Sequence, residues 1–487
     1  MRRSEKARPS MTQAPGTASG RLALSQVWVW VAISIPVGVL AAIPLVSVDL
    51  AYLVRAGDHL MLRTGGVLRT DVLMVWTSGK PWLNQQWGTE LVVAAAYRMG
   101  GWLGLAVLRG ALQACVLGLV FLGCRAAGAD RRRAALLTLG SALVVSTGLQ
   151  LRAQLLGMVC FSATVWLLET RAERPGRVWW TVAVVALWAN LHGSFVLGPL
   201  LIGLAWLEDA TSRRGSARST MAVGVAATLA TVVSPFGFGV WTYVRDVATD
   251  PLVVGFVQEW QRPTLGTVRG VLFFCSVAVV VAFLVRRRRV PWQACVRLAV
   301  FLVIGLTALR STVWWGLLLP VEIARLLAEP APARADPVSR LNTAIVVVLA
   351  LVAVAGFVRW LPYSGPDEPG RLLSHAPAGV TAAAADLLEP GERFFNAQEW
   401  GSWFELALPE NPVTTDARFE LIPVERWDQY LSISAGRPGW QGLLDDWGVR
   451  VAVVSREQQA PLIPQMRADP GWRLAYEDAE GLVFART

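Results

Sequence analysis

Arginine clusters recur at alternate ends of the apolar segments of this chain, and that alternation limits how it can fold. Arg2, Arg3, Lys6 and Arg8 come first, followed by Arg131 to Arg133, Arg171 with Arg174 and Arg177, Arg213 with Arg214 and Arg218, Arg286 to Arg289, and Arg325 with Arg334 and Arg340. Two membrane crossings fit between consecutive clusters, so all can lie on one face, which the bias of Lys and Arg in short loops makes cytoplasmic. Composition agrees, because 54% of the 487 residues are apolar and only 16% are charged, unlike two or three soluble domains. The net charge of +10 sits in loops beside the spans, where it orients helices and meets anionic lipid. It is therefore not read as a nucleic-acid-binding surface.

A span needs roughly 20 mostly apolar residues, fewer where a helix is short or broken. About eleven segments qualify, near 26–48, 101–124, 134–149, 153–170, 178–191, 194–209, 220–235, 269–286, 292–309, 312–328 and 341–361. The expected fold class is an α-helical polytopic membrane protein with a C-terminal extracytoplasmic α/β domain. Residues 1–25 read as a disordered basic cytoplasmic tail and not as a cleaved signal peptide. Residues 26–361 form the membrane domain and 362–487 the outer domain, in a plasma-membrane protein whose N-terminus is inside and C-terminus outside. Two long outer loops, 49–100 and 235–270, carry Trp76, Trp82, Trp87, Trp241 and Trp260 and are expected to lie along the outer interface, where indole rings concentrate. In the outer domain, strands are expected at 393–396, 413–416, 449–454, 472–477 and 482–485, and helices at 381–388, 424–433, 440–447 and 460–468.

Polar residues at the outer boundary are the candidates for chemistry. Asp49 follows the first span directly, and a short carboxylate there is costly if it faces lipid and snorkels poorly. Near it in sequence stand Arg55, Asp58, His59, Asp71, Gln86 and Glu90, either a substrate-binding cluster or groups that cap and solvate an interfacial helix. The turn from Trp188 to Ser194 sets Asn190, His192 and Gly193 between two short spans, where irregular backbone is tolerated only if it is buried or lines a wet cavity. His192 could be a proton donor, a phosphate ligand or a satisfied turn histidine. Arg152 and Arg310 each interrupt an apolar run near an outer helix end. A guanidinium there takes a lipid phosphate or pyrophosphate, or snorkels to the headgroups. Glu259 with Trp260 could bind a sugar or anchor its loop.

Other chemistries lack their residues. There is no P-loop Gly-Lys-Ser/Thr, no HExxH and no GxSxG. With His59, His192 and His375 as the three histidines, a multi-histidine metal site is not expected.

At these positions the sequence resembles the GT-C superfamily of integral-membrane glycosyltransferases, within it a bacterial branch. The likeness runs through Asp49, Arg55 to Asp58, Arg69 to Asp71, Lys80 to Trp87, Trp188 to Phe195, Ser234 to Gly237, Glu259-Trp260 and Ala308 to Ser311. It continues in the outer domain at Phe395 to Gly401, Asp416 to Arg418 and Asp469 to Trp472. The resemblance implies sugar transfer from a polyprenyl-phosphate donor to a glycan, lipid or protein acceptor at the outer face. Asp49 would be the general base, Arg310 and Arg152 would hold the leaving phosphate, and His192 would assist. Gln86 stands where close relatives of such enzymes carry an acidic residue, and Asp49 is followed by Leu50 where many pair two acids. No cofactor is assigned, and a divalent cation stays admissible. The rival readings are a flippase of lipid-linked saccharide and a non-catalytic envelope scaffold with Trp400, Trp403, Trp427 and Trp440 exposed for a partner. They are separated by whether the first loop, the 190–194 turn and Arg310 converge on one cavity.

Overall fold

The computed structural model describes residues 21–59, 66–212, 216–287, 289–328, 336–363 and 372–487. Most of the basic tail, and Arg213, Arg214, Arg288 and Arg334 of the clusters, lie outside the described residues. Each of the eleven apolar segments holds a helix: Leu24–Ala41, Trp87–Ala126, Arg131–Val145, Ala153–Glu169, Trp180–Trp188, Leu197–Thr211, Ala217–Ala230, Val268–Val285, Trp292–Thr307, Thr312–Leu326 and Arg340–Val358. Among the described residues, five helices are long and apolar enough to cross a membrane. Val268–Val285 and Arg340–Val358 leave most of their apolar side chains exposed, a surface that water would not tolerate and lipid does.

Two boundaries differ from expectation. The expected tail reaches residue 25, but Leu22–Ala23 pairs antiparallel with Val338–Ser339 and the first helix starts at Leu24. That helix also stops at Ala41 and not at 48. The freed segment runs out to Leu45, which exchanges backbone hydrogen bonds with Leu372 (2.6 Å) and Ser374 (2.9 Å). The Trp87–Ala126 helix is two helices joined at Gly100 and Gly101. Gly101 has φ of 56°, a conformation that a Cβ would disfavour, so the glycine pair turns the chain from one helix into the next.

The C-terminal domain is a four-stranded sheet in the order Phe394–Asn396, Val451–Ser455, Gly481–Arg486, Trp472–Glu477. The first pair is parallel and the other two are antiparallel. Helices Ala378–Ala385, Gln398–Ala407, Val424–Ser434, Trp440–Asp446 and Leu462–Ala468 complete it. Trp400, Trp403, Trp427 and Trp440 are buried, so they are core and not a partner surface. The strand expected at 413–416 does not join this sheet. Val413 instead bonds the first outer loop, accepting from the Val75 N–H at 2.9 Å and donating to the Leu73 carbonyl at 3.3 Å.

The first loop therefore packs against the C-terminal domain and is not left as a free surface segment. Trp76 packs edge-on against Trp447 at 4.7 Å, and Trp82 is buried beneath Arg418 at 4.8 Å. Arg418 is the hub of this contact. It binds Asp71 of the loop at 2.8 Å, Glu405 at 2.9 Å and Asp416. A second buried ionic knot ties the helices at their opposite ends: Arg171 to Glu208 and Asp209 (2.9 Å each), Arg297 to Glu208 (2.9 Å) and Glu322 (2.6 Å), Arg325 to Glu208 (2.9 Å) and to Glu169. Such knots specify register more than they stabilise, because desolvating the charges offsets much of their attraction.

Candidate active site

Stretches distant in sequence enclose one cavity of about 790 Å³. Its wall includes Asp49, Gln86, Arg152, His192, Glu259 and Arg310, so the first loop, the 190–194 turn and Arg310 do converge.

Local structure places each group. Asp49 opens the helix Leu50–His59, its carbonyl accepting the Leu53 N–H at 3.2 Å, a position where a carboxylate meets the positive end of the helix. Arg152 is the extended residue immediately before Ala153–Glu169. It joins two carboxylates, reaching Asp49 at 2.8 Å and Glu259 at 2.6 Å. Glu259 also faces Arg269 at 3.5 Å, and that arginine donates from Nε to the Thr147 Oγ at 2.7 Å. Burial raises the Glu259 carboxyl, but Arg152, Arg310 and Arg269 outweigh it and bring it down to about 2.

His192 and Arg310 form the other part of the wall. The imidazole Nδ1 receives the Ser194 N–H at 3.1 Å and faces the Ser194 Oγ at 2.7 Å, while the Trp188 indole N–H donates to that same Oγ at 3.1 Å. Nδ1 therefore carries the lone pair. Burial, then the Arg310 and Arg152 charges, push the imidazole well below the usual histidine range, so it is neutral and its proton sits on Nε2. Nε2 lies 3.3 Å from Arg310 Nη2. Two donors thus meet with no acceptor between them. Arg310 stacks over Trp260 at 4.9 Å, and among the described residues it has no carboxylate within ion-pair distance. On this side of the cavity three guanidinium groups, Arg152, Arg269 and Arg310, stand with two carboxylates, Asp49 and Glu259, a local excess of one positive charge that suits an anion.

The remaining candidates lie elsewhere. Arg55 donates to the Pro409 carbonyl at 3.1 Å, tying the loop to the outer domain. Asp58 pairs with Arg98 at 2.6 Å, and His59 closes the same helix, away from the cavity wall. Asp71 belongs to the Arg418 hub. Glu90 is buried behind the wall, accepting from Asn84 at 2.7 Å. Asn190 braces its turn, donating to the Ala186 and Val233 carbonyls at 2.9 Å and accepting from Trp87 at 3.0 Å. These groups shape the site without lining it. Sequence reasoning missed Arg269, Tyr52, Tyr243 and Glu420, all of which border the cavity. Arg269 carries the signal that exposed Arg152 and Arg310, a cation at an outer helix end.

Among the described residues no group of three or more His, Cys, Asp or Glu is placed to hold a metal ion. Between Asp49 and Glu259, the position a cation would take belongs to Arg152. No family model and no curated protein matches the chain. Among solved structures it is similar to ArnT from Cupriavidus metallidurans, solved bound to undecaprenyl phosphate, with a TM-score of 0.50 and 15% identity over 95% of this chain and 98% of that one. At that identity the likeness speaks for the fold alone, which the chain shares with ArnT over nearly its whole length.

Proposed function

We propose that the chain transfers a sugar from a polyprenyl-phosphate donor to an acceptor hydroxyl at the outer face of the plasma membrane, with about eleven spans holding the site there. The observation that carries this reading is the donor pair of Arg310 and His192, 3.3 Å apart on the arginine-rich side of the cavity. One phosphate oxygen between them would satisfy both. The cavity flank formed by Val244, Val247, Val253, Phe256 and Ile304 suits the first isoprene units. The bound undecaprenyl phosphate of ArnT supports the same lipid class.

In this reading Asp49 takes the proton of the acceptor hydroxyl as its oxygen attacks the anomeric carbon. The bond from that carbon to the phosphate oxygen breaks, and its electron pair leaves on the polyprenyl phosphate. Arg310 and the His192 Nε2–H neutralise the charge that develops there. Arg152 holds Asp49 in place and, through Glu259, couples the base to the phosphate side. The two carboxylates are committed to arginines, so no step is routed through a metal.

The test works whichever sugar the lipid carries. Cells lacking the chain should accumulate a polyprenyl-monophosphate sugar, read by mass spectrometry of lipid extracts. The wild-type gene should clear it and Asp49→Asn should not, although the variant inserts and folds. Absence of any such lipid would overturn the function. Full clearance by Asp49→Asn would overturn the assignment of the base.

A further inference from the structure

The outer domain does more than cover the cavity. Its turn Phe419–Leu421 brings Glu420 to the cavity wall, and among the described residues this carboxyl makes no ion pair. The adjacent Arg418 is already spent on Asp71, Glu405 and Asp416. Glu420 is therefore unlike Asp49 and Glu259, whose charges are taken up by arginines.

Its surroundings are those of a subsite for hydroxyl groups. The Tyr243 phenol is within reach of the Glu420 carboxyl. The Tyr243 ring lies against the turn at Gly193, where a Cβ on that glycine would stand 3.9 Å from it. One tyrosine thus spans from the phosphate side to the outer domain. Gln398 and Glu399 border the same roof, and Glu399 is steadied by His375 at 3.4 Å. The roof offers carboxyl, amide and phenol groups, and its one arginine is neutralised. The side of the cavity around Arg152 offers three guanidinia. An anionic lipid phosphate belongs to the second, and a neutral polyhydroxyl compound to the first.

We propose that Glu420, with Tyr243, forms the acceptor subsite: its carboxylate receives a hydrogen bond from a hydroxyl of an uncharged, hydroxyl-rich acceptor and orients it toward Asp49. This rests on the glycosyl-transfer reading. Burial raises the Glu420 carboxyl to about 7, so the subsite strengthens as pH rises through that value.

The probe is the polyprenyl-monophosphate sugar purified from cells lacking the chain, given to the nanodisc-reconstituted protein with or without membranes of those cells as the acceptor source. Without acceptor, slow hydrolysis reports on the donor site, since water replaces the hydroxyl. Glu420→Gln should lower transfer to the membrane acceptor by about tenfold, flatten its rise near pH 7, and leave hydrolysis and undecaprenyl phosphate affinity within about twofold. Glu420→Asp should recover part of the transfer, and Tyr243→Phe should show the same selective loss, which guards against a folding effect. Transfer by Glu420→Gln at the wild-type rate would overturn the inference. So would parallel loss of transfer and hydrolysis, because the residue would then serve the donor or the fold. If the wild-type protein leaves the donor untouched, the glycosyl-transfer reading itself fails.

Discussion

Replacing Arg310 with Ala tests the phosphate site most directly. Its guanidinium stacks 4.9 Å over Trp260, lies 3.3 Å from His192, and has no paired carboxylate among the described residues. A unit negative charge about 4 Å from it gains about 4 kcal/mol at an effective dielectric of about 20. Binding also strips water from the phosphate, and charge-assisted hydrogen bonds measure about 1.5–3 kcal/mol net. A loss of about 2–3 kcal/mol is therefore expected, roughly 30- to 150-fold in Kd. Arg310→Lys keeps the charge but loses the planar stack and the fork, so about 1 kcal/mol is expected there. Undecaprenyl phosphate is titrated into nanodisc-reconstituted protein and followed by tryptophan fluorescence, with Trp260 and Trp314 on the cavity wall as reporters. Because the pair would form in a partly enclosed site, the difference should persist at high salt. An Arg310→Ala protein that binds within about threefold of wild type would refute the reasoning, since it assumes that this cation is the main unsatisfied charge.

Two further outcomes follow from the geometry. His192→Ala should weaken undecaprenyl phosphate binding by about 1 kcal/mol, the worth of one neutral donor. Because the imidazole stays uncharged, the ratio of the two affinities should be flat from about pH 6 to about pH 8; a ratio that grows toward acid would show imidazolium as the ligand. Asp71→Ala removes the loop's partner of Arg418 and should cost about 3 kcal/mol, by analogy with other broken buried pairs. Limited proteolysis should then release the outer domain earlier than in wild type, and unchanged cleavage would show that the hub does not seat it.

Hydropathy made the helices legible, because lipid demands long apolar runs whatever their partners. It did not reveal where the first one ends. Residues 42–48 are as apolar as a span, yet Leu45 leaves to bond Leu372 and Ser374, a choice made by a segment more than 300 positions away. Val413 misled for the same reason: its β-forming character was real, but its partners were Leu73 and Val75 in another part of the chain. In the site, Asp49, Arg152, His192 and Arg310 stood out as polar interruptions of apolar sequence. Glu259 was visible beside Trp260, although its role as the bridge between Arg152 and Arg269 was not. Glu420 gave no signal, since one acidic residue in a polar domain looks like any other until tertiary structure turns it toward the cavity.

The distant knot of Arg171, Arg297 and Arg325 has a mechanical consequence. It grips Ala153–Glu169, Leu197–Thr211, Trp292–Thr307 and Thr312–Leu326 by one end, and the other ends of these same rods present Arg152, His192 and Arg310. Helices bound together at one end keep a fixed spacing there, so the positions of the three site residues at the other ends are set from a distance by this cluster, and its charges also close off the membrane interior behind the cavity.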